Sequence, residues 1–85
     1  MIVSARKTWE RIVARQYRNV SFNDFVRLVE AFGFVHRRTK GSHRIYSHPK
    51  SPRPLSLQPL EGEAKPYQIA QFVSLVEECG LTMKD

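Results

Sequence analysis

The sequence has a single cysteine, no acidic residue between His36 and Arg53, and no long apolar run. One cysteine, Cys79, excludes an intramolecular disulfide and a cysteine-based zinc cluster, and it fits a reducing compartment. No stretch approaches the roughly 20 apolar residues that span a bilayer, and the opening MIVSARK lacks the apolar segment of a secretory leader. A cytoplasmic protein without membrane contact is therefore expected. There is no glycine-rich phosphate loop, no pair of carboxylates placed for acid and base work, and no metal-ligand spacing, so most enzyme classes have no foothold. The three histidines, His36, His43 and His48, have no cysteine or carboxylate beside them, and neither a metal nor a cofactor is expected. With 85 residues the chain supports one hydrophobic core and not two.

What is present is positive charge. Fourteen Lys and Arg against eight Asp and Glu give a net charge of +6, which favours a polyanionic partner, either nucleic acid or an acidic protein. The acid-free stretch carries Arg37, Arg38, Lys40, Arg44, Lys50 and Arg53 together with all three histidines. A merely solvated surface mixes the two signs, and nucleic-acid contact accounts better for this one.

Periodicity divides the chain into six elements. Residues 4–18 predict a basic amphipathic helix with Trp9, Ile12, Val13, Gln16 and Tyr17 on its apolar side. Ser21 and Asp24 open a second helix, in which Phe25, Leu28, Val29 and Phe32 form a stripe that Gly33 ends. Residues 34–39 and 43–48 read as two strands flanking Lys40-Gly41, a hairpin, and Leu55-Ser56-Leu57 as a brief third strand closed by Pro59. Pro66 begins a last helix carrying Ile69, Phe72, Val73 and Val76, with Ala70 suited to a close contact and Gly80 at the end. The expectation is one α+β domain of order α-α-β-β-β-α, with an antiparallel three-stranded sheet and helices packed on one face.

The chemistry concentrates in KGSHRIY, residues 40–46. Gly41 lets the backbone approach a phosphate, and Ser42 offers a hydroxyl and a main-chain N–H to its oxygens. Arg38, Lys40 and Arg44 are near enough in sequence to be phosphate contacts, with Lys65 a further candidate. RNA cleavage by its own 2′-hydroxyl demands little of a protein, because the nucleophile is already in the substrate. One histidine can move the proton while cations stabilise the crowded phosphate, and DNA, lacking that hydroxyl, is inert. His43 is the candidate. The plain alternative is that Gly-Ser is ordinary turn chemistry and His43 a half-buried residue at a strand start. Alternation sends His43 and Ile45 to one face, and a one-residue slip of register decides which.

Ala31-Phe32-Gly33-Phe34, the hairpin Gly41-Ser42-His43-Arg44-Ile45-Tyr46, His48-Pro49, the short third strand and the closing helix together resemble the HicA toxin family, over residues 21–81 or so. These are small ribonucleases of bacterial type II toxin–antitoxin systems. Lys65-Pro66-Tyr67-Gln68 with Gln71-Phe72, and the leading Ser-Ala-Arg-Lys-Thr, are similar to one subgroup. The resemblance implies a double-stranded-RNA-binding-domain-like fold, metal-independent cleavage of mRNA, and a HicB-type antitoxin that covers the active site. It carries the catalytic role to His43 and the motif's turn to Gly41 and Ser42, and it assigns none to His36 or His48. It also divides the chain into an added N-terminal helix, residues 1–20, and a HicA-like α-β-β-β-α domain, residues 21–85. Where many members have a further histidine after the third strand, this chain has Gln58-Pro59-Leu60. The N-terminal helix, with five basic residues against one acid, is expected to contact RNA or the antitoxin. Two alternatives stay open: a non-catalytic RNA-binding module, and an interaction domain for an acidic protein.

Overall fold

The computed structural model describes residues 4–84; residues 1–3, the start of the segment read for a leader, and residue 85 lie outside the described residues. The elements are α1 (Ala5–Val13), α2 (Phe22–Ala31), β1 (Val35–Lys40), β2 (His43–Ser47), β3 (Leu55–Leu57) and α3 (Pro66–Cys79). Both strand pairings are antiparallel and the spatial order is β1-β2-β3. The α+β architecture in the order α-α-β-β-β-α is thus the one expected, consistent with a double-stranded-RNA-binding-domain-like fold. Among the described residues no helix is long and apolar enough to cross a membrane.

The first helix is shorter than its periodicity suggests. It ends at Val13 rather than running to residue 18, and Val13 is 62% exposed instead of facing the core. The stripe that packs is Ala5, Thr8, Trp9 and Ile12, with Thr8 buried in the place expected of Val13. The stop is a Schellman closure: the N–H of Arg15 donates to the carbonyl of Ile12 at 2.9 Å and that of Gln16 to the carbonyl of Arg11 at 2.9 Å. Arg15 takes the left-handed position itself, at φ 63. The Arg11 guanidinium then donates to the carbonyls of Arg18 and Asn19 at 3.1 and 3.4 Å, holding the returning chain so that Val20 enters the core.

The second helix begins as read, with the Ser21 Oγ accepting from the Asp24 N–H at 3.4 Å. It ends in the same closure, here with Gly33 at φ 96. That glycine is required twice, since a β-carbon there would also stand 2.9 Å from the Nε2 of His48. Pro66 opens α3 and Gly80, in the left-handed conformation, closes it. Leu75 joins Ile69, Phe72 and Val76 on the buried side, whereas Ala70 is exposed.

Phe72 centres the core, with the rings of Trp9, Phe25, Phe32 and Phe34 at 6.3, 5.6, 5.3 and 6.0 Å, the first three of them edge-on. Such edge-on pairs add about 0.5–1.5 kcal/mol each beyond the burial of area. From the sheet, Tyr46, Leu55 and Leu57 complete the core. These three lie on β2 and β3, while every residue of β1 is exposed. The helical layer therefore covers two strands and leaves the third bare, at the edge of the sheet.

Candidate functional site

The hairpin turns on Gly41 and Ser42 between the paired residues Lys40 and His43. Gly41 sits at φ 61 in the first central position, where a II′-type turn needs a residue of positive φ. From this turn β2 alternates. Tyr46, 2% exposed, and Arg44 face the helices, and His43, Ile45 and Ser47 face the other way. His43 thus stands exposed at the start of β2 on the open side of the sheet, and it makes no side-chain hydrogen bond or ion pair among the described residues.

Opposite it, β1 is not regular. His36 pairs with Tyr46 and Arg38 with Ile45, leaving Arg37 as the extra residue of a bulge. In a regular strand Arg37 and Arg38 would point to opposite faces. The bulge turns both to the open side, where the Nε of Arg37 donates to the Oγ of Ser47 at 2.7 Å. Lys40, paired with His43, completes a row of three cations on that face. Ser56, paired with Ile45, continues the face onto β3.

A chain of side-chain amides ties the turn to α3. The Nε2 of Gln58 donates to the Oγ of Ser42 at 2.8 Å, and its Oε1 accepts from the Nζ of Lys65 at 3.1 Å. The main-chain N–H of Gln58 donates to the Oε1 of Gln68 at 3.1 Å, and Gln68 is 3% exposed. Lys65, more than twenty residues from the hairpin in sequence, is brought to it through this one glutamine. Gln58 was legible in the sequence only as the position lacking a histidine. No local pattern marks it as a brace, because its three partners, Ser42, Lys65 and Gln68, lie 16, 7 and 10 residues away in the chain.

The residues picked from the sequence therefore divide. Arg38, Lys40, Gly41, Ser42, His43 and Lys65 gather around the hairpin. Arg44 does not: its guanidinium lies over the Phe22 ring, 5.2 Å from the centroid, on the helix side. Of the other histidines, His36 bonds the Oγ1 of Thr39 at 2.9 Å beside the Tyr46 ring. His48 packs on Phe34, and its Nδ1 accepts from the Lys50 N–H at 3.0 Å. Among the described residues no group of three or more His, Cys, Asp or Glu is placed to hold a metal ion. Cys79 is half-buried and carries no disulfide.

Chemically, an exposed imidazole beside Arg38 and Lys40, which make no ion pair among the described residues, at a glycine turn with a braced hydroxyl, can take an anionic ligand and exchange a proton with it. No curated protein and no solved structure matches the chain. The family model described as the HicA toxin of bacterial toxin–antitoxin systems matches residues 22–81, from the first residue of α2 to just past the end of α3. The match takes in the hairpin, its bulge and the glutamine brace, and the protein belongs to the HicA toxin family.

Proposed function

We propose that this toxin is a metal-independent endoribonuclease that cleaves mRNA in the cytoplasm, with His43 as the proton-transfer residue. In the reaction the substrate's 2′-oxygen attacks the adjacent phosphorus and the bond from phosphorus to the 5′-oxygen breaks. The 2′-hydroxyl loses a proton and the leaving oxygen gains one, and His43 serves this exchange. Lys40 and Arg38 lie on its face to offset the charge gathering on the phosphate, and Ser42, fixed by Gln58, presents a hydroxyl and an N–H. Lys65 adds a charge from the far side of the turn. Arg44 is left out of this set, since its guanidinium is engaged with Phe22.

In this reading residues 21–85 carry the activity, and residues 1–20 are an added basic segment whose helix α1 is braced on the rest by Trp9 and Ile12. As the family implies, an antitoxin is the protein partner. A HicB-type antitoxin that laid a surface over the open face would stop RNA from reaching His43.

The observation that carries the reading is the face shared by His43, Lys40 and Arg38, none of whose side chains is engaged elsewhere among the described residues. His43→Ala should lower cleavage of a labelled mRNA fragment by about 10²- to 10⁴-fold in buffer with EDTA, with its melting temperature unchanged. Parental cleavage by that variant would remove His43 from the mechanism.

One feature favours a second reading, that of a module that binds RNA without cutting it. Among the described residues no hydrogen-bonded group orients the ring of His43, an aid that proton-transfer histidines commonly have. Intact RNA after prolonged incubation with protein that binds it would establish that reading.

A further inference from the structure

At the end of the hairpin away from His43, the sheet runs into a cavity of about 410 Å³ between β1, the segment after β2 and the tail after α3. Arg37, His48, Lys50 and Lys84 line it, and among the described residues no acidic one does. Two of the four are pre-set. Arg37 is held by its bond to Ser47. His48 accepts the Lys50 N–H on Nδ1, which leaves the proton of a neutral ring on Nε2, the atom lying against Gly33. The tail is anchored as well, the Lys84 N–H donating to the Ala31 carbonyl at 2.7 Å. Val35, 48% exposed, and the buried Leu81 give the cavity an apolar wall.

This cavity belongs to the same surface as His43. Val35 and Arg37 lie on the open face of β1, and Arg38 and Lys40 continue it toward the turn. From His43 to His48 the chain rises roughly 17 Å at about 3.3 Å per residue. That exceeds one step along an RNA strand, so a phosphate in the cavity is not the phosphate being cut. The cations thus form a track with two ends.

We propose that the cavity lined by Gly33, Arg37, His48, Lys50 and Lys84 is a second phosphate subsite, which holds the RNA strand a few nucleotides from the bond cleaved at His43. The proposal rests on RNA as the ligand of the open face, though not on its being cut. A single strand laid along β1 and β2 places one phosphate at the turn and another in the cavity, with a ribose or base against Val35. Glycine at 33 keeps the cavity floor low, because a β-carbon there would displace the His48 ring.

The test measures binding apart from cleavage. His43→Ala protein, which leaves RNA intact in the proposed reaction, is titrated against a fluorescein-labelled single-stranded RNA of about 12 nucleotides and against a labelled trinucleotide, over a range of salt. Adding Lys50→Ala and Lys84→Ala should weaken binding of the longer RNA about tenfold and lower its salt slope by roughly 0.7, the value for the one phosphate that the cavity holds. The loss on the trinucleotide should be several-fold smaller. Thermal melts confirm that the variants fold, both lysines being exposed.

Equal losses on the two RNAs, or no loss on the longer one, would overturn the subsite. So would an equal loss of affinity for a poly-glutamate peptide, which would assign the cavity to an acidic protein. Failure of the parent to bind the longer RNA would overturn both this subsite and RNA as the ligand. Cleavage by protein with His43 intact is scored separately. RNA bound through the cavity but never cut would refute the catalytic reading and leave the subsite standing.

Discussion

The two sides of β2 do different work within five residues. Toward the helices, Tyr46 is buried beside Leu55 and Leu57, and Arg44 spends its charge on the ring of Phe22. Toward solvent, His43 has no partner among the described residues and Ile45 is only half covered. The difference shows how an 85-residue chain separates stability from chemistry without a second domain. Period-two alternation gives each side chain of one strand to one task or the other.

Substitutions on the two sides should therefore fail in different ways. Tyr46→Ala opens a cavity under the sheet and should cost about 3–5 kcal/mol, seen as a collapsed denaturation midpoint, whereas His43→Ala leaves that midpoint in place. If Tyr46→Ala melts like the parent, the core does not run through β2. A finer contrast uses two arginines. Arg44→Ala should lose about 1 kcal/mol of stability, from its contact with Phe22 and its packed stem, while the salt slope of RNA binding stays put. Arg38→Ala should do the converse, leaving the melt unchanged and lowering the slope by roughly 0.7 for one phosphate contact. An exchange of these outcomes would mean that the two faces have been assigned the wrong way round. The smallest effect lies away from the sheet. Arg15→Gly relieves a left-handed residue at the end of α1 and should raise stability by up to about 1 kcal/mol, a shift of a few degrees in the melt.

That last pair of helix ends also marks what the sequence discloses. Gly33 announces the end of α2 because glycine is the usual occupant of a left-handed cap, and the helix does end there. Arg15 makes the same closure with a residue that gives no such notice, so periodicity alone carries α1 on to residue 18 and Val13 into the core. The strands, the hairpin turn and the last helix followed from Gly41, Pro66 and the spacing of apolar residues, all local signals. The site was legible in part. Lys40, Gly41, Ser42 and His43 are neighbours in the chain and remain so in space, while Gln58 and Gln68 reach the turn through contacts that no local pattern encodes. Arg44 is the instructive exception. Next to His43 in a strand, it necessarily faces the other way, so nearness in sequence was the wrong measure of nearness on a surface. The pairing of Arg37 with Arg38 on one face needed the register, since only the partner strand reveals that a residue has been skipped.

The skipped residue at Arg37 acts as a phase step in β1. Residues before it and residues after it count alternation from different origins, so that Val35, Arg37, Arg38 and Lys40 share a side that strict alternation would have divided. Removing that one residue would be more drastic than replacing it. A deletion at position 37 would leave Val35 opposite Ser47, His36 opposite Tyr46 and Arg38 opposite Ile45 in plain alternation, with no extra residue on the open side, whereas any substitution there keeps the offset and changes only the side chain it carries. The spacing of the chain at this point, more than the identity of its residues, decides which groups a ligand lying along the strand would meet.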